Sequence, residues 1–385
     1  MNQNSKLITS QEKPTVAAKP NNDLARAGET ANRVAADYLF TDYRQRRAEK
    51  TIRTQTAALQ LWVQYLATVG AANELLDQAE VWAWAYYEEE GLESLAKHAE
   101  VQGLAVPIVL AAHYCQHLPA AWQGVTWGLV EGFVKWLLNQ GYSMSSINNR
   151  LSAVKVYARL AAKAGTISPE ENALIREVRG YGGTEGKRVN TARGKKRVGY
   201  KKEEALVLTA KQARRLKAEH APTPQGIRDR LLICLLLDLG LRASEVSALQ
   251  VEDFAESGYV TVYRQKTDTV DRMAMSTDIT AVLADYARYM RKSGRLLRGS
   301  RKNGQLTNHI MSVRAIGARV KTLGRDILGI WELSPHDLRH TWATQAAKES
   351  NPFVLRDAGG WTNMQTPSRY VEKAKVVNEG IRLDY

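Results

Sequence analysis

Cysteine is almost absent. The 385-residue chain holds two, Cys115 and Cys234, both inside apolar helical patterns. Two such residues supply neither a disulfide framework nor a zinc cluster, and they read as small buried hydrophobes of a protein kept in a reducing cytoplasm. No uninterrupted apolar run is long enough to cross a bilayer, and the N-terminus lacks the apolar segment of a secretory signal, so no membrane partner is expected. There is no Walker-type Gly-rich loop and no His-Glu-x-x-His pair, so no ATP, metal or other cofactor is expected. Acid is in short supply as well. The 40 Asp and Glu face 54 Lys and Arg, which leaves a formal charge of +14. An excess of that size points to a polyanionic partner, nucleic acid first.

The length suits two domains. Residues 1–34 are polar and carry little apolar periodicity, which predicts a disordered tail. Helical periodicity rules residues 35–180. Ile52, Leu59, Trp62, Val63 and Leu66 mark one face of a helix over 51–69. Further helices are predicted over 79–90, 106–117, 125–139 and 144–164, the last capped by Ser143. Residues 181–202 combine helix-breaking Gly182, Gly183, Gly186, Gly194 and Gly199 with Lys187, Arg188, Arg193, Lys195, Lys196, Arg197, Lys201 and Lys202. That stretch reads as a basic linker, able to neutralise phosphates of a bound duplex. Within 203–385, Thr209 can cap a helix, and 228–239 reads as a buried helix that Gly240 ends. Residues 259–263 and 272–276 are strand candidates around a turn at Gln265–Thr269. Helices are expected from Asp278 to about 291, over 306–323, and after Ser334. The fold class is therefore mainly α with a small antiparallel β-sheet.

Chemistry concentrates between 333 and 371. Ser334 followed by Pro335 is a helix start. His336 and Arg339, three apart, share one face of that helix, with His340 near it. An imidazole beside a guanidinium at a helix start suits a phosphate, because unpaired N–H groups and the dipole add to the attraction. Gly359 and Gly360 break the chain, Trp361 follows, and Tyr370 comes nine positions later. A phenol near phosphate-binding cations suggests nucleophilic attack on a phosphodiester.

In this order, His336-x-x-Arg339, Gly360-Trp361 and Tyr370 resemble the C-terminal signature of the tyrosine site-specific recombinases, the phage integrase family. Leu239-Gly-Leu-Arg-Ala-Ser-Glu245 is similar to the family's first arginine motif. Phe133-Val-Lys-Trp-Leu-Leu and Ile147-Asn-Asn-Arg-Leu-Ser-Ala-Val resemble, more weakly, its helical core-binding domain. The resemblance implies a two-domain DNA clamp, with a core-binding bundle over 35–180 and a catalytic domain over 203–385. It implies cutting and rejoining of DNA through a 3′-phosphotyrosine and a Holliday junction, without ATP or metal. The implied partners are double-stranded DNA with a specific recombination site and a homotetramer on paired sites. The implied setting is the cytoplasm of a prokaryote, or a phage-encoded protein working there.

Such chemistry needs charge on the non-bridging oxygens stabilised, the leaving 5′ oxygen protonated, and a nucleophile in line. Arg242 and Arg339 suit the first task, since their planar forks bind phosphate oxygens bidentately. Glu245, one turn from Arg242, can orient a guanidinium. Lys266 sits in the turn where the family places its general-acid lysine. His336 can move a proton or hydrogen-bond the phosphate. Trp361 stands where most members have a second His, and an indole N–H donates but cannot accept a proton. Tyr370 is the expected nucleophile, and His340 is expected to be structural support. The resemblance also implies that the tail after Tyr370, with Val376, Val377, Ile381 and Leu383, docks on a neighbouring protomer. Two alternatives remain open: a type IB topoisomerase that relaxes supercoils, and a non-catalytic DNA-binding repressor derived from a recombinase.

Overall fold

The computed structural model describes residues 22–194 and 205–374. They form two compact units, one from each stretch, and each has its own hydrophobic core. The expected tail contacts at 376–383 and the linker cations Lys195, Lys196, Arg197, Lys201 and Lys202 lie outside the described residues. No helix among the described residues is long and apolar enough to cross a membrane.

The first unit is all helical: α1 Asn22–Gln45, α2 Glu49–Thr68, α3 Asn73–Tyr86, α4 Glu89–Gln102, α5 Val106–His117, α6 Trp127–Asn139, α7 Met144–Lys163, α8 Pro169–Glu177 and α9 Gly183–Ala192. Starts follow side-chain chemistry. Thr126, Ser143 and Ser168 each accept from a backbone N–H three residues on, satisfying a donor that the first helical turn leaves free. Leu59, Trp62, Val63 and Leu66 of α2 are buried on one face as their spacing predicts. Trp62 stacks on Trp122 at 6.2 Å and meets Phe133 edge-on at 5.3 Å. Burying each such side chain contributes about 1.5–3 kcal/mol.

Two sequence expectations change here. The tail expected to be unstructured to residue 34 is helical from Asn22, in a helix that carries five alanines and buries only Phe40, near its end. Part of the segment read as a linker, Gly183–Ala192, is helical and forms α9. Gly182 and Gly183 sit at its N-terminal boundary, and Gly186 is buried against Met144 and Tyr181. Arg193, expected on DNA, donates to the Tyr142 carbonyl at 2.6 Å and to Asn190 Oδ1 at 2.6 Å, tethering the helix end. Lys187 and Arg188 are exposed on α9.

The second unit adds α10 Ala210–Ala218, α11 Pro224–Asp238, α12 Ala243–Ala248, β1 Tyr259–Arg264, β2 Thr269–Ala274, α13 Thr277–Ala287, β3 Arg298–Ser300, β4 Leu306–Ile310, α14 Val313–Leu328, α15 Pro335–Glu349, α16 Pro352–Gly359 and α17 Gln365–Ala374. Leu231–Leu237 of α11 is buried all round, so this helix is the centre of the unit. β1 and β2 pair antiparallel, from Tyr259 opposite Ala274 to Arg264 opposite Thr269, and Asp268 closes the turn with φ +55°. β3 and β4 form a second antiparallel pair. The helix expected over 306–323 is thus split. Leu306–Ile310 pairs as a strand, and the helix begins only after Ser312, whose hydroxyl accepts from Ala315 N.

Capping fixes α15, the helix that carries the motif. Ser334 and Asp337 form a reciprocal box at its start. Asp337 also accepts from Leu206 N at 2.9 Å and Thr341 from Leu208 N at 3.0 Å, which pins residues 206–208 to α15.

Candidate active site

Three arginines from three elements converge on one turn. Arg242 precedes α12, Arg264 ends β1, and Arg339 lies in the first half of α15. Arg264 Nη2 donates to the Ala358 carbonyl at 2.7 Å, Arg339 Nη2 to the Gly359 carbonyl, and Arg242 Nη2 to the Gly360 carbonyl at 3.0 Å. These consecutive carbonyls end α16. A helix leaves its last carbonyls without internal partners and carries the negative end of its dipole there, so the cations satisfy both. Arg339 Nη1 donates to the Gly240 carbonyl at 2.6 Å, tying the same guanidinium to the end of α11.

Gly240 and Gly360 make this approach possible. Both are left-handed, with φ of +60° and +57°. A Cβ at Gly240 would lie 2.2 Å from the Trp342 ring, and one at Gly360 would lie 2.7 Å from Arg264 Cδ. Neither position has room for a side chain, whichever residue could adopt the backbone.

Two carboxylates balance the cations. Glu245, 4% exposed, accepts from Arg242 Nη1 at 2.5 Å, from Arg242 N at 2.7 Å and from Arg264 Nη1 at 3.3 Å. Asp271 of β2 accepts from Arg264 Nε at 2.7 Å. Three guanidiniums against two carboxylates leave one net positive charge (3 − 2 = +1). Burial, and then the neighbouring Arg242 and Arg264 charges, push Arg339 down to about 10, with Glu245 and Tyr370 opposing. It remains a cation near neutrality. Each guanidinium has five N–H donors, so Arg242 and Arg339 keep donors for further oxygens.

Aromatic rings continue the cluster. The Arg339 guanidinium lies over the Trp361 ring at 4.7 Å, and Trp361 packs against Trp342 at 6.2 Å and Tyr370 at 6.0 Å. Trp361 therefore supports both Arg339 and the tyrosine. Tyr370, half-buried on α17, directs its hydroxyl at His340. Oη lies 2.7 Å from Nδ1 and 3.2 Å from Nε2. Burial raises the Tyr370 phenol above its ordinary value, while the Arg339 charge pulls the other way. His336 is exposed and meets the His340 ring edge-on at 4.8 Å.

Of the residues singled out in the sequence, Arg242, Glu245, Arg339, Trp361 and Tyr370 come together here. His336 joins the group through the His340 ring. Lys266 is exposed on the β1–β2 turn and makes no hydrogen bond or ion pair among the described residues. Sequence reading missed Arg264, which is fully buried. It also missed that His340, expected as support, touches the tyrosine hydroxyl. Only one local signal pointed to Arg264: a cation in strand register just before the turn. Among the described residues no group of three His, Cys, Asp or Glu side chains is placed to hold a metal ion.

A second basic feature lies in the first unit. An open cleft of about 540 Å³ is lined by Lys155, Arg159, Arg176 and Arg179. Lys155 donates to the Arg176 and Val178 carbonyls at 2.6 and 2.7 Å, and Arg159, Arg176 and Arg179 are exposed.

Residues 206–376 match the phage integrase family. The tyrosine recombinase XerA of Saccharolobus solfataricus is 30% identical over 159 residues, which is 41% of this chain and 49% of that protein. The chain thus spans about half the length of that relative. The tyrosine recombinase XerC of Xanthomonas axonopodis pv. citri is 27% identical over 284 residues, 74% of this chain and 78% of the relative. Among solved structures, the XerH site-specific recombinase bound to palindromic difH substrate aligns with a TM-score of 0.53 at 16% identity, covering 84% of this chain and 94% of that one. At that identity the likeness speaks to fold alone.

Proposed function

We propose that this chain, whose residues 206–376 match the phage integrase family, is a site-specific DNA recombinase that cuts and rejoins duplex DNA through a 3′-phosphotyrosine. The observation that carries the reading is the convergence of Arg242, Arg339 and Tyr370 around the end of α16. These residues come from widely separated parts of the chain, and together they offer a cationic seat next to a phenol.

The scissile phosphate takes the remaining donors of Arg242 and Arg339, which stabilise charge growing on its non-bridging oxygens. Tyr370 Oη attacks phosphorus, and the bond to the 5′ oxygen breaks. Lys266, free to swing on its exposed turn, or His336 protonates the leaving oxygen. Glu245 holds Arg242 in place. A 5′ hydroxyl from a partner strand reverses the step, so bond energy is kept in the phosphotyrosine. The run Ala358-Gly-Gly-Trp-Thr-Asn363 resembles Cre recombinase, which we suggest as a counterpart for the site. Assembly as a homotetramer on paired sites, joined by the tail after Tyr370, belongs to the same proposal. So does contact of Lys187, Arg188 and the linker cations with DNA phosphates.

The test is a nicked duplex that loses its 5′ hydroxyl fragment after cleavage and traps the covalent product on a denaturing gel. Wild type should give a slow-migrating protein–DNA band in EDTA, and Tyr370→Phe none. No band from wild type on any duplex would favour the repressor alternative. Relaxation of supercoiled circles without a specific site would favour the topoisomerase.

A further inference from the structure

We propose that His340 is a catalytic residue: it takes the proton from Tyr370 as the phenol attacks and returns it when the strand is rejoined. The inference rests on the recombinase reading above and adds an assignment to it. A phenol is a weak nucleophile until its proton leaves, so attack near neutrality needs an acceptor within hydrogen-bond reach. His340 Nδ1, 2.7 Å from Oη, meets that geometric requirement. The surroundings sharpen the need. Tyr370 is half-buried, and desolvation favours its protonated form more than the nearby Arg339 charge opposes it.

The other candidates fit less well. Arg242, Arg264 and Arg339 stay charged and only donate. The Trp361 indole has no lone pair to offer. Lys266 is an exposed cation with no bond to the cluster among the described residues. His336 meets the His340 ring edge-on at 4.8 Å, while His340 itself lies within hydrogen-bond reach of Oη.

Local structure explains the division of labour on α15. Arg339 and His340 are adjacent, so they point about 100° apart around the helix. Arg339 turns inward to the α16 carbonyls, while His340 turns to α17 and the tyrosine. One helix thereby presents the phosphate-binding cation and the proton acceptor side by side.

The step balances. An Oη lone pair forms the bond to phosphorus, and the bond from phosphorus to the 5′ oxygen breaks. The Oη proton passes to Nδ1, giving an imidazolium. The leaving oxygen takes a proton from a separate donor, Lys266 or His336. In rejoining, the attacking 5′ hydroxyl gives up its proton to that donor, and His340 returns its own to Oη.

The experiment uses the full chain and a nicked duplex selected from a randomised pool by covalent capture on wild type. His340→Gln keeps a polar group beside Oη but accepts no proton under these conditions. It should bind the duplex as wild type does and form the covalent product about 10²–10⁴-fold more slowly. His340→Ala should be as slow, and added imidazole should restore part of its rate. Imidazole should do nothing for Tyr370→Phe. Thermal unfolding of both variants checks that the fold holds. If wild type captures no duplex, the recombinase reading fails, and the inference with it. If wild type captures duplex and His340→Gln cleaves at its rate, the inference fails alone. A slow His340→Ala that imidazole leaves unchanged also overturns it, since a purely positioning role gives that result.

Discussion

Arg264 shows how one buried charge can organise a site without touching the reacting atoms. It has no solvent exposure, and its guanidinium bonds Glu245, Asp271 and the Ala358 carbonyl at once. A buried cation is costly unless each donor is met, and here opposite charges on two elements meet it. Arg264→Met would leave Glu245 and Asp271 short of a partner and the Ala358 carbonyl bare. Removing one member of such a buried pair costs about 3–5 kcal/mol. Urea unfolding of the variant should show a loss of that order. A loss under about 1 kcal/mol, the size of an exposed pair, would mean that the cluster readjusts to its absence.

At the scale of elements, the end of α16 does the joining. Its carbonyls hold three arginines, and the two residues that follow carry the chain to Trp361 and on to the tyrosine helix. The position of Tyr370 and the orientation of Arg242 and Arg339 are therefore linked through one turn. Gly360→Ala tests this link. The left-handed backbone there costs an L-residue about 1–2 kcal/mol, and the new methyl would press on Arg264, 2.7 Å away. The variant should melt earlier and form covalent product more slowly, though the added group faces no substrate. Wild-type cleavage together with wild-type melting would mean that the turn is not under this constraint. The caps at Ser143, Thr209 and Ser334 were readable in advance because each acts within three residues. The split between β4 and α14 was not, since it depends on pairing with β3.

At the scale of the whole molecule, charge and pH are the levers. Arg159, Arg176 and Arg179 line an exposed cleft in the first unit, where the core-binding half of the proposal needs phosphate contacts. Changing all three to Ala should flatten the log–log salt dependence of duplex binding by about 0.9 for each phosphate that is no longer neutralised. An unchanged slope would leave these residues in solvent. The same unit also carries an acid-sensitive pair. Burial pushes His113 down to about 4 and His117 to about 3, with the Arg44 charge adding to both. Unfolded histidines titrate near ~6.5, so between that value and the native ones the unfolded chain binds more protons. Stability contributed by the neutral rings is complete above pH ~6.5 and is lost as pH falls towards the native values. The melting temperature of the full chain should drop by several degrees between about pH 7 and pH 4.5, and His117→Gln should lessen the drop. A flat profile would rule out buried neutral rings.

The sequence by itself determined the helical class, the positions of several caps, the basic balance and the order of the residues proposed to act: Arg242, Arg339 and Tyr370. Those features are written in short stretches, in spacing, in a capping side chain or in a motif a few residues long. Only the tertiary structure decided which groups meet. It set Arg264 in the charge cluster, turned His340 to the tyrosine and left His336 exposed. It also made α9 from residues that read as a linker. Such outcomes depend on contacts between residues far apart in the chain, such as Arg242 with Gly360 and Arg264 with Ala358. Burial and the need to satisfy every buried charge select those partners, and neither can be read from neighbours in sequence.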